Sequence, residues 1–221
     1  MKKKNFDHII MKKTLLVVLS IVLIGNVNAQ YDEQAKKILD DMSKKYQSFV
    51  AYSAEFSYSM ENKVENIKDE FNGKITIKAE MYRLDMGIQE IYNNGETIWT
   101  YMPEEKEVNI TEVDGEDEDL TPSKIFTAYQ SGYKYVLLEN ESGADVYVID
   151  LIPEDQTEQF FKVRMKISKS KNLINSWEIF DKNGNNYKYS ILNFNPDNSI
   201  RDQYFEFDES GHPGVEVVDL R

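Results

Sequence analysis

The sequence has no cysteine and only two histidines among its 221 residues. Without cysteine, the chain can form neither a disulfide framework nor a metal or redox site that depends on thiols. It also cannot be lipidated at its own N-terminus, because that attachment would need a cysteine at the cleavage site of an export signal. The length is enough for one domain that buries a hydrophobic core.

Groups that commonly carry catalysis are also scarce. His8 lies in an N-terminal segment that we expect to be removed, which leaves His212, beside Pro213, as a single histidine. The sequence has no nucleophile elbow, phosphate-binding loop or dinucleotide-binding motif. Acidic pairs are so abundant that none of them points to a site. We therefore predict that the protein is not an enzyme and has neither a cofactor nor a metal site.

Acidic residues outnumber basic ones, with 39 Asp and Glu against 26 Lys and Arg and a formal net charge of −13. Removal of residues 1–29 would take away five lysines and one aspartate and make the chain more acidic. Such a chain is repelled by the phosphates of nucleic acids and by anionic lipid surfaces. We predict no nucleic-acid partner.

The first 29 residues have the pattern of an export signal. A basic region precedes an apolar run over residues 15–24, and Val27-Asn28-Ala29 presents small residues where a signal peptidase cuts. We predict a signal peptide over residues 1–29 and a single mature domain over residues 30–221, located in the periplasm. Two alternatives stay open: a start at Met11, and retention of the apolar run as a membrane anchor, although the run is short for a transmembrane helix.

Two periodic patterns describe the mature chain. Apolar side chains first recur at steps of three and four, which predicts an amphipathic helix; they are Ala35, Ile38, Leu39, Met42, Tyr46 and Phe49. From Tyr52 onward, apolar and polar side chains alternate, which predicts successive strands. We expect residues 61–70 to form a long charged turn, and Asn94-Gly95 to form a tight hairpin turn in which both residues tolerate a positive φ.

An acidic loop follows at residues 114–119, and Thr121-Pro122 then predicts the start of a second helix. The apolar face of that helix would carry Ile125, Phe126 and Tyr129. Strands resume at Tyr133. Because consecutive antiparallel strands with short turns favour one large curved sheet, the predicted class is α+β and mainly β.

Four stretches resemble, in the same order, the sequence pattern of the LolA-like periplasmic lipoprotein carriers. The most informative is residues 94–103 (NGETIWTYMP), which is similar to the family's central D/N-G-K-x-(L/I)-W-x-Y-x-P run. The other stretches are residues 52–56 (YSAEF), residues 73–77 (GKITI), and residues 205–207 (FEF) with residues 213–217 (PGVEV). The order of the four carries the resemblance more than any one of them does.

The resemblance implies a curved, incomplete antiparallel β-barrel with helices covering its open side, around an apolar cavity that shields acyl chains. The protein would be a monomeric carrier that ferries acylated lipoproteins through the periplasm. Its partners would be the lipid chains, an inner-membrane lipoprotein-releasing complex and an outer-membrane acceptor. Each buried CH₂ group contributes about 0.8 kcal/mol, so acylated cargo leaves a membrane only when a comparably apolar cavity receives it.

Residues that alternate inward on the predicted strands would line this cavity, together with residues of the covering helix. The expected lining is Tyr52, Ala54, Phe56, Ile75, Ile77, Leu84, Met86, Ile98, Val108 and Ile110, with Ile125, Phe126 and Tyr129 from the cover. Trp99 and Tyr101 alternate with Ile98, and this pattern leaves open which face of their strand is the inner one.

One position departs from the family pattern. Well-known members have Arg-Pro after the second strand, and that arginine latches the helical lid, whereas this sequence has Ala79-Glu80. Arg83 lies nearby and is the candidate latch. The resemblance therefore supports lipid binding in general better than it supports a particular gating mechanism.

Three other functions stay open. The same fold could carry or sense another lipid or a glycolipid, and an acidic exported protein could be a carboxylate-dependent glycan hydrolase. A structural envelope protein without a cavity is the third. Identification of a co-purified lipid, turnover of cell-wall polysaccharide, and the presence or absence of a hollow core distinguish these possibilities.

Overall fold

The computed structural model describes residues 32–113 and 127–221. The predicted signal segment, the acidic loop and most of the predicted second helix, including Ile125 and Phe126, lie outside these residues. Within the described ranges, no helix has the length and hydrophobicity that spanning a membrane requires.

Helix α1 (Glu33–Gln47) confirms the amphipathic helix predicted near the start of the mature chain. Asp32 caps its N-terminus, where Oδ1 accepts the backbone N–H groups of Gln34 and Ala35 at 3.0 and 2.9 Å. The other carboxylate oxygen, Oδ2, accepts the backbone N–H of Leu137 at 2.8 Å. One side chain therefore both starts the helix and fastens it to the sheet.

The described residues form twelve strands in a single sheet, in the order β12-β6-β5-β4-β3-β2-β1-β11-β10-β9-β8-β7. All neighbours are antiparallel except β12 and β6, which are parallel. The strands are β1 (Tyr52–Asn62), β2 (Ile67–Lys78), β3 (Met81–Asp85), β4 (Glu90–Asn93), β5 (Thr97–Met102), β6 (Glu107–Glu112), β7 (Tyr133–Leu137), β8 (Val146–Pro153), β9 (Phe160–Ser168), β10 (Ile174–Asp181), β11 (Asn185–Pro196) and β12 (Glu216–Asp219). The sheet is curved and unclosed, which confirms the predicted class and architecture.

Strand β1 joins the two halves of this sheet, because it pairs with β2 on one side and with β11 on the other. Its pairing with β11 contains a β-bulge: Phe56 pairs with Ile191, and the preceding Glu55 pairs with Asn193. Leu192 is the extra residue. The bulge shifts the alternation of β11 by one position. As a result Phe194, two residues after Leu192, lies on the same face as Ile191.

Two predicted turns differ from the structure. Residues 61–70 do not form a long turn, because β1 continues to Asn62 and β2 begins at Ile67. The charged side chains there belong to a two-stranded ribbon whose residues are mostly exposed, so their polarity does not prevent strand pairing. In the hairpin between β4 and β5, the N–H of Asn94 donates to the carbonyl of Thr97, and Gly95 alone has a positive φ, of 94°. Gly95 and Glu96 are therefore the two central residues of the turn, and Asn94 pairs with Thr97 at its base.

The sheet has an inner and an outer face, both of them covered in part. We define the inner face as the one that carries Tyr52, Ile77 and Tyr82. These three side chains pack in one cluster with α1. On the outer face, Tyr101 and Val108 pack against Phe207 of the C-terminal segment, residues 197–215. Paired residues of an antiparallel sheet point to the same side, so the register fixes the face of every side chain on β1 to β6.

Candidate functional site

An apolar cavity of about 310 Å³ lies between the end of α1 and the inner face of the sheet. Its size is near the lower end of the range of ligand pockets, roughly 300–1,000 Å³. It is lined by Tyr46 of α1 and, from the sheet, by Tyr52, Ala54, Phe56, Phe71, Ile75, Ile77, Leu84, Met86, Tyr133, Leu151, Phe160, Val163, Met165, Trp177, Ile179, Tyr189, Ile191 and Phe194. Both halves of the sheet therefore contribute to it.

The cavity lining is uncharged throughout the part of the chain that the structure describes. Tyr46, Tyr52 and Tyr189 contribute hydroxyl groups to it, and burial adds to their ordinary preference for the neutral form. Burial raises the pKa of Tyr189 to about 12 and raises the pKa values of Tyr46 and Tyr52 further. The Tyr46 hydroxyl also accepts the N–H of Ile174 at 3.2 Å. At neutral pH the cavity thus presents aliphatic, thioether and aromatic side chains with neutral tyrosine hydroxyls, and no charged group among the described lining residues.

Aromatic side chains form much of the wall. The rings of Trp177 and Tyr189 stack in parallel with their centroids 4.7 Å apart, and Tyr58 packs against Tyr189 at 5.1 Å. At the other end, Phe194 contacts Tyr52 and Tyr46 at 5.2 and 5.9 Å. Rings of this size provide a large apolar surface with few rotatable bonds.

Seven of the predicted residues line this cavity. They are Tyr52, Ala54 and Phe56 of β1, Ile75 and Ile77 of β2, Leu84 of β3, and Met86 just after β3. Period-two alternation identified them because these strands have one side on the cavity and the other away from it.

Three predicted residues of β5 and β6 lie away from the cavity. Val108 and Ile110 pair with Tyr101 and Trp99 and point to the outer face, where Val108 is buried against Phe207. The prediction failed for these two because the outer face is also apolar here, since the C-terminal segment covers it. Ile98 is on the inner face, as the register with Asn93 requires, but it lies beyond the cavity lining.

Of the three residues predicted for the cover, the structure describes Tyr129, and its role is structural. Tyr129 is buried in the main core, and its hydroxyl donates to Oδ1 of Asp40 on α1 at 2.9 Å. It therefore ties the helix to the segment that precedes β7 and does not line the cavity. Ile125 and Phe126 lie outside the described residues.

Arg83 points to the outer face, opposite the side that α1 covers. Its Nη2 donates to Oε2 of Glu90 at 2.8 Å, and its guanidinium lies over the rings of Tyr92 and Tyr204, 4.5 and 5.0 Å from their centroids. Tyr204 belongs to the C-terminal segment. The structure thus corrects the proposed latch: Arg83 holds that segment against the sheet.

Sequence reasoning missed Phe71 of β2 and the half of the cavity wall that comes from β7 to β11. The missed residues include Leu151, Val163, Met165, Trp177, Ile179, Tyr189 and Ile191. The signal was present, because apolar residues alternate along β9 and β10 as they do along β1. Phe194 was harder to find, since the bulge at Leu192 breaks the alternation of β11.

No group of three or more His, Asp or Glu side chains among residues 32–113 and 127–221 is arranged to hold a metal ion.

Comparison with known proteins agrees with this geometry. The family described as outer membrane lipoprotein carrier protein LolA matches residues 47–208, which include most of the strands that line the cavity. No match was found among curated protein sequences. This is a LolA-like fold, an open, mainly antiparallel sheet around an apolar cavity. The chain belongs to the LolA family of outer membrane lipoprotein carrier proteins.

Several solved structures are similar to this chain at low sequence identity. An uncharacterized conserved protein from Thermus thermophilus is 13% identical with a TM-score of 0.54, and the match covers 84% of this chain and 99% of that one. A LolA superfamily protein from Nitrosomonas europaea is 14% identical, with a TM-score of 0.43 and coverage of 79% and 98%. The Mycobacterium tuberculosis lipoprotein LppX is 8% identical, with a TM-score of 0.48 and coverage of 77% and 100%.

Proposed function

We propose that this protein is a non-enzymatic carrier that holds the acyl chains of lipoproteins in the cavity and takes them through the periplasm from the inner to the outer membrane. The observation that carries the proposal is the uncharged cavity between α1 and the inner face. Membership of a family of lipoprotein carriers supports it. The partners at each end would be a lipoprotein-releasing complex and an outer-membrane acceptor.

The energetics favour a long hydrocarbon chain over a polar ligand. Each CH₂ group of the ligand that moves from water into contact with the lining contributes about 0.8 kcal/mol to the free energy of binding. A polar or charged ligand would lose its hydration and find few partners among these side chains, at a cost of roughly 2–7 kcal/mol for each unpaired polar group. The cavity therefore favours apolar ligands over polar or charged ones.

Binding of a fluorescent fatty-acid probe to the purified chain tests the proposal. We expect saturable binding by the native protein, and a large loss of affinity in Ile77→Asp, which places a carboxylate in the wall. Ile110→Asp is the matched control, because Ile77 and Ile110 are similarly buried, 4% and 6% exposed, but Ile110 is on the outer face. Both variants lose stability, and only the first should lose binding.

A second variant covers the case in which buried aspartates prevent folding. Ala54→Leu adds volume inside the cavity without adding charge, so it should lower probe affinity in a folded protein. The absence of saturable binding by the native chain would refute the proposal, as would full affinity in folded Ile77→Asp and Ala54→Leu. Mass spectrometry of co-purified lipid then identifies the cargo, and depletion of the protein in cells should leave lipoproteins in the inner membrane.

A further inference from the structure

The apolar inner face of the sheet continues beyond the cavity, along β1 and β11. Tyr58 of β1 contacts the rings of Phe71 and Tyr189 at 4.6 and 5.1 Å, and both of those rings line the cavity. Met60 is the next residue of β1 on this face, and it pairs with Tyr187 of β11. We call the surface formed by Tyr58, Met60 and Tyr187 the shelf. It is continuous with the cavity wall.

The burial of the inner face decreases with distance from α1. On β1, Phe56 is buried, whereas Tyr58 and Met60 are half-buried. On β9, Met165 is buried, and Val163, which is farther from α1, is half-buried. The cause is that α1 packs at the other end of these strands. The cavity therefore opens toward the shelf.

Polar groups mark the far end of the shelf. Nδ2 of Asn62 donates to Oδ1 of Asn185 at 2.8 Å, across the pairing of β1 with β11. Asp69, an exposed residue that pairs with Met60 from β2, adds a charge at the same edge. At about 3.3 Å per residue, the distance from Tyr58 to Asn62 is about 13 Å. An apolar surface of this length thus separates the cavity from a polar edge, an arrangement that suits an amphiphile with its hydrocarbon end inward.

The cavity alone is small for a long acyl chain. A protein cavity of about 150 Å³ holds one benzene molecule, which corresponds to about 25 Å³ for each carbon atom. At that ratio the cavity of about 310 Å³ holds roughly twelve carbon atoms. The chain of dodecanoic acid therefore fits inside, whereas that of hexadecanoic acid extends beyond the cavity, toward the shelf.

We propose that the shelf binds the carbons of a long acyl chain that do not fit into the cavity, so that Met60 and Tyr187 set a preference for long chains. This inference rests on the proposed carrier function and specifies the chain length of its cargo. The methyl end of the chain points toward α1, and its polar end lies near the Asn62–Asn185 pair. Full burial of a CH₂ group improves affinity about fourfold, and contact on one side only, as on the shelf, gives about twofold.

The test compares dodecanoic acid with hexadecanoic acid, each measured by displacement of the fluorescent fatty-acid probe. Both acids have the same carboxylate, so any repulsion by the acidic protein cancels in the ratio of their affinities. At about twofold for each CH₂ group, the native chain should bind hexadecanoic acid about fifteenfold more tightly. The variant Met60→Gln/Tyr187→Gln should bind dodecanoic acid as the native chain does and should lower the ratio to about threefold.

Ser59→Gln/Lys188→Gln is the matched control. Ser59 and Lys188 pair with each other on the same two strands, next to the pair of Met60 and Tyr187, and point to the outer face. This variant should keep the native ratio. If the double shelf variant does not fold, Met60→Gln alone is measured in its place and should lower the ratio by a smaller factor.

Each outcome decides a separate point. If the native chain binds neither acid, the carrier function fails and this inference fails with it. If both acids bind with equal affinity, or the shelf variant keeps the native ratio, the shelf inference is overturned and the carrier function stands. An equal loss of affinity for both acids in the shelf variant also overturns it, as does a lowered ratio in the control variant, because neither result would be specific to the shelf.

Discussion

The ring of Phe56 lies so close to Gly73, its partner across the β1–β2 pairing, that a Cβ on Gly73 would come within 2.5 Å of Cζ of Phe56. The same Cβ would lie 2.9 Å from the carbonyl oxygen of Asp85. The φ of Gly73 is not in the left-handed region. Glycine is needed at this position because a larger residue would collide with these neighbours. The pair fixes the direction in which the Phe56 ring enters the cavity wall.

Replacement of Gly73 by alanine should therefore disturb both stability and binding. The Phe56 ring must move away from the new methyl group, and the backbone at Asp85 must yield as well. We expect a loss of about 1–3 kcal/mol in the free energy of unfolding, measured by urea denaturation, together with weaker binding of the fatty-acid probe. Gly143→Ala is the control, because a Cβ there meets no atom within 4 Å; equal behaviour of the two variants would contradict the argument.

Arg83→Ala distinguishes a structural role for this arginine from a latch. The variant loses the hydrogen bond to Glu90 and the contacts with the Tyr92 and Tyr204 rings, so we expect unfolding to become easier by about 1–3 kcal/mol. Affinity for the probe should stay at the native value, because Arg83 is on the outer face. Arg201→Ala, which changes an exposed arginine of the same segment, should leave stability within about 0.5 kcal/mol of native. A changed affinity in folded Arg83→Ala would restore the latch hypothesis.

Glu90 should make the protein less stable in acid. Burial alone would raise the pKa of Glu90, but hydrogen bonds from Tyr92 and Arg83 outweigh burial and lower the pKa below its ordinary value of 4.5. A carboxyl with a lowered pKa contributes stability that is fully present above its unfolded pKa and is lost as the pH falls through its folded pKa. The relevant range therefore begins near pH 4.5 and extends downward.

Denaturant unfolding at several pH values measures this contribution. At pH 7 we expect Glu90→Gln to be less stable than the native chain by about 1–3 kcal/mol. The difference between the two should shrink as the pH falls below about 4.5, since the native carboxyl becomes neutral as well. Glu96→Gln, an exposed change at the nearby hairpin, serves as the control. A difference that stays constant down to about pH 3 would show that the charge of Glu90 contributes nothing.

Local sequence patterns predicted the elements of this fold well, because each pattern depends on one strand or helix alone. The alternation from Tyr52 to Phe56 and the three- and four-residue steps of α1 report the face that each element buries, and the structure agrees. The family resemblance then supplied the curvature of the sheet. Neither signal depends on which distant segments meet.

The candidate site was less predictable because it depends on long-range packing. Val108 and Ile110 alternate like cavity residues, but the C-terminal segment covers their face, and no local pattern in β6 reports that cover. Phe194 joins the cavity only because Leu192 is bulged. A one-residue irregularity of this kind exchanges the faces of a strand without changing its composition.

The placement of β11 beside β1 has a consequence for how the protein folds. Asn62 and Asn185, hydrogen bonded at the end of this pairing, are 123 residues apart in sequence. The strands from β1 to β6 and those from β7 to β11 can each form from near neighbours, whereas the seam between them must wait until most of the polypeptide has been synthesised. Pairing between segments so far apart in sequence is slow. Until it occurs, each half of the sheet exposes apolar surface that promotes aggregation or binding by a chaperone.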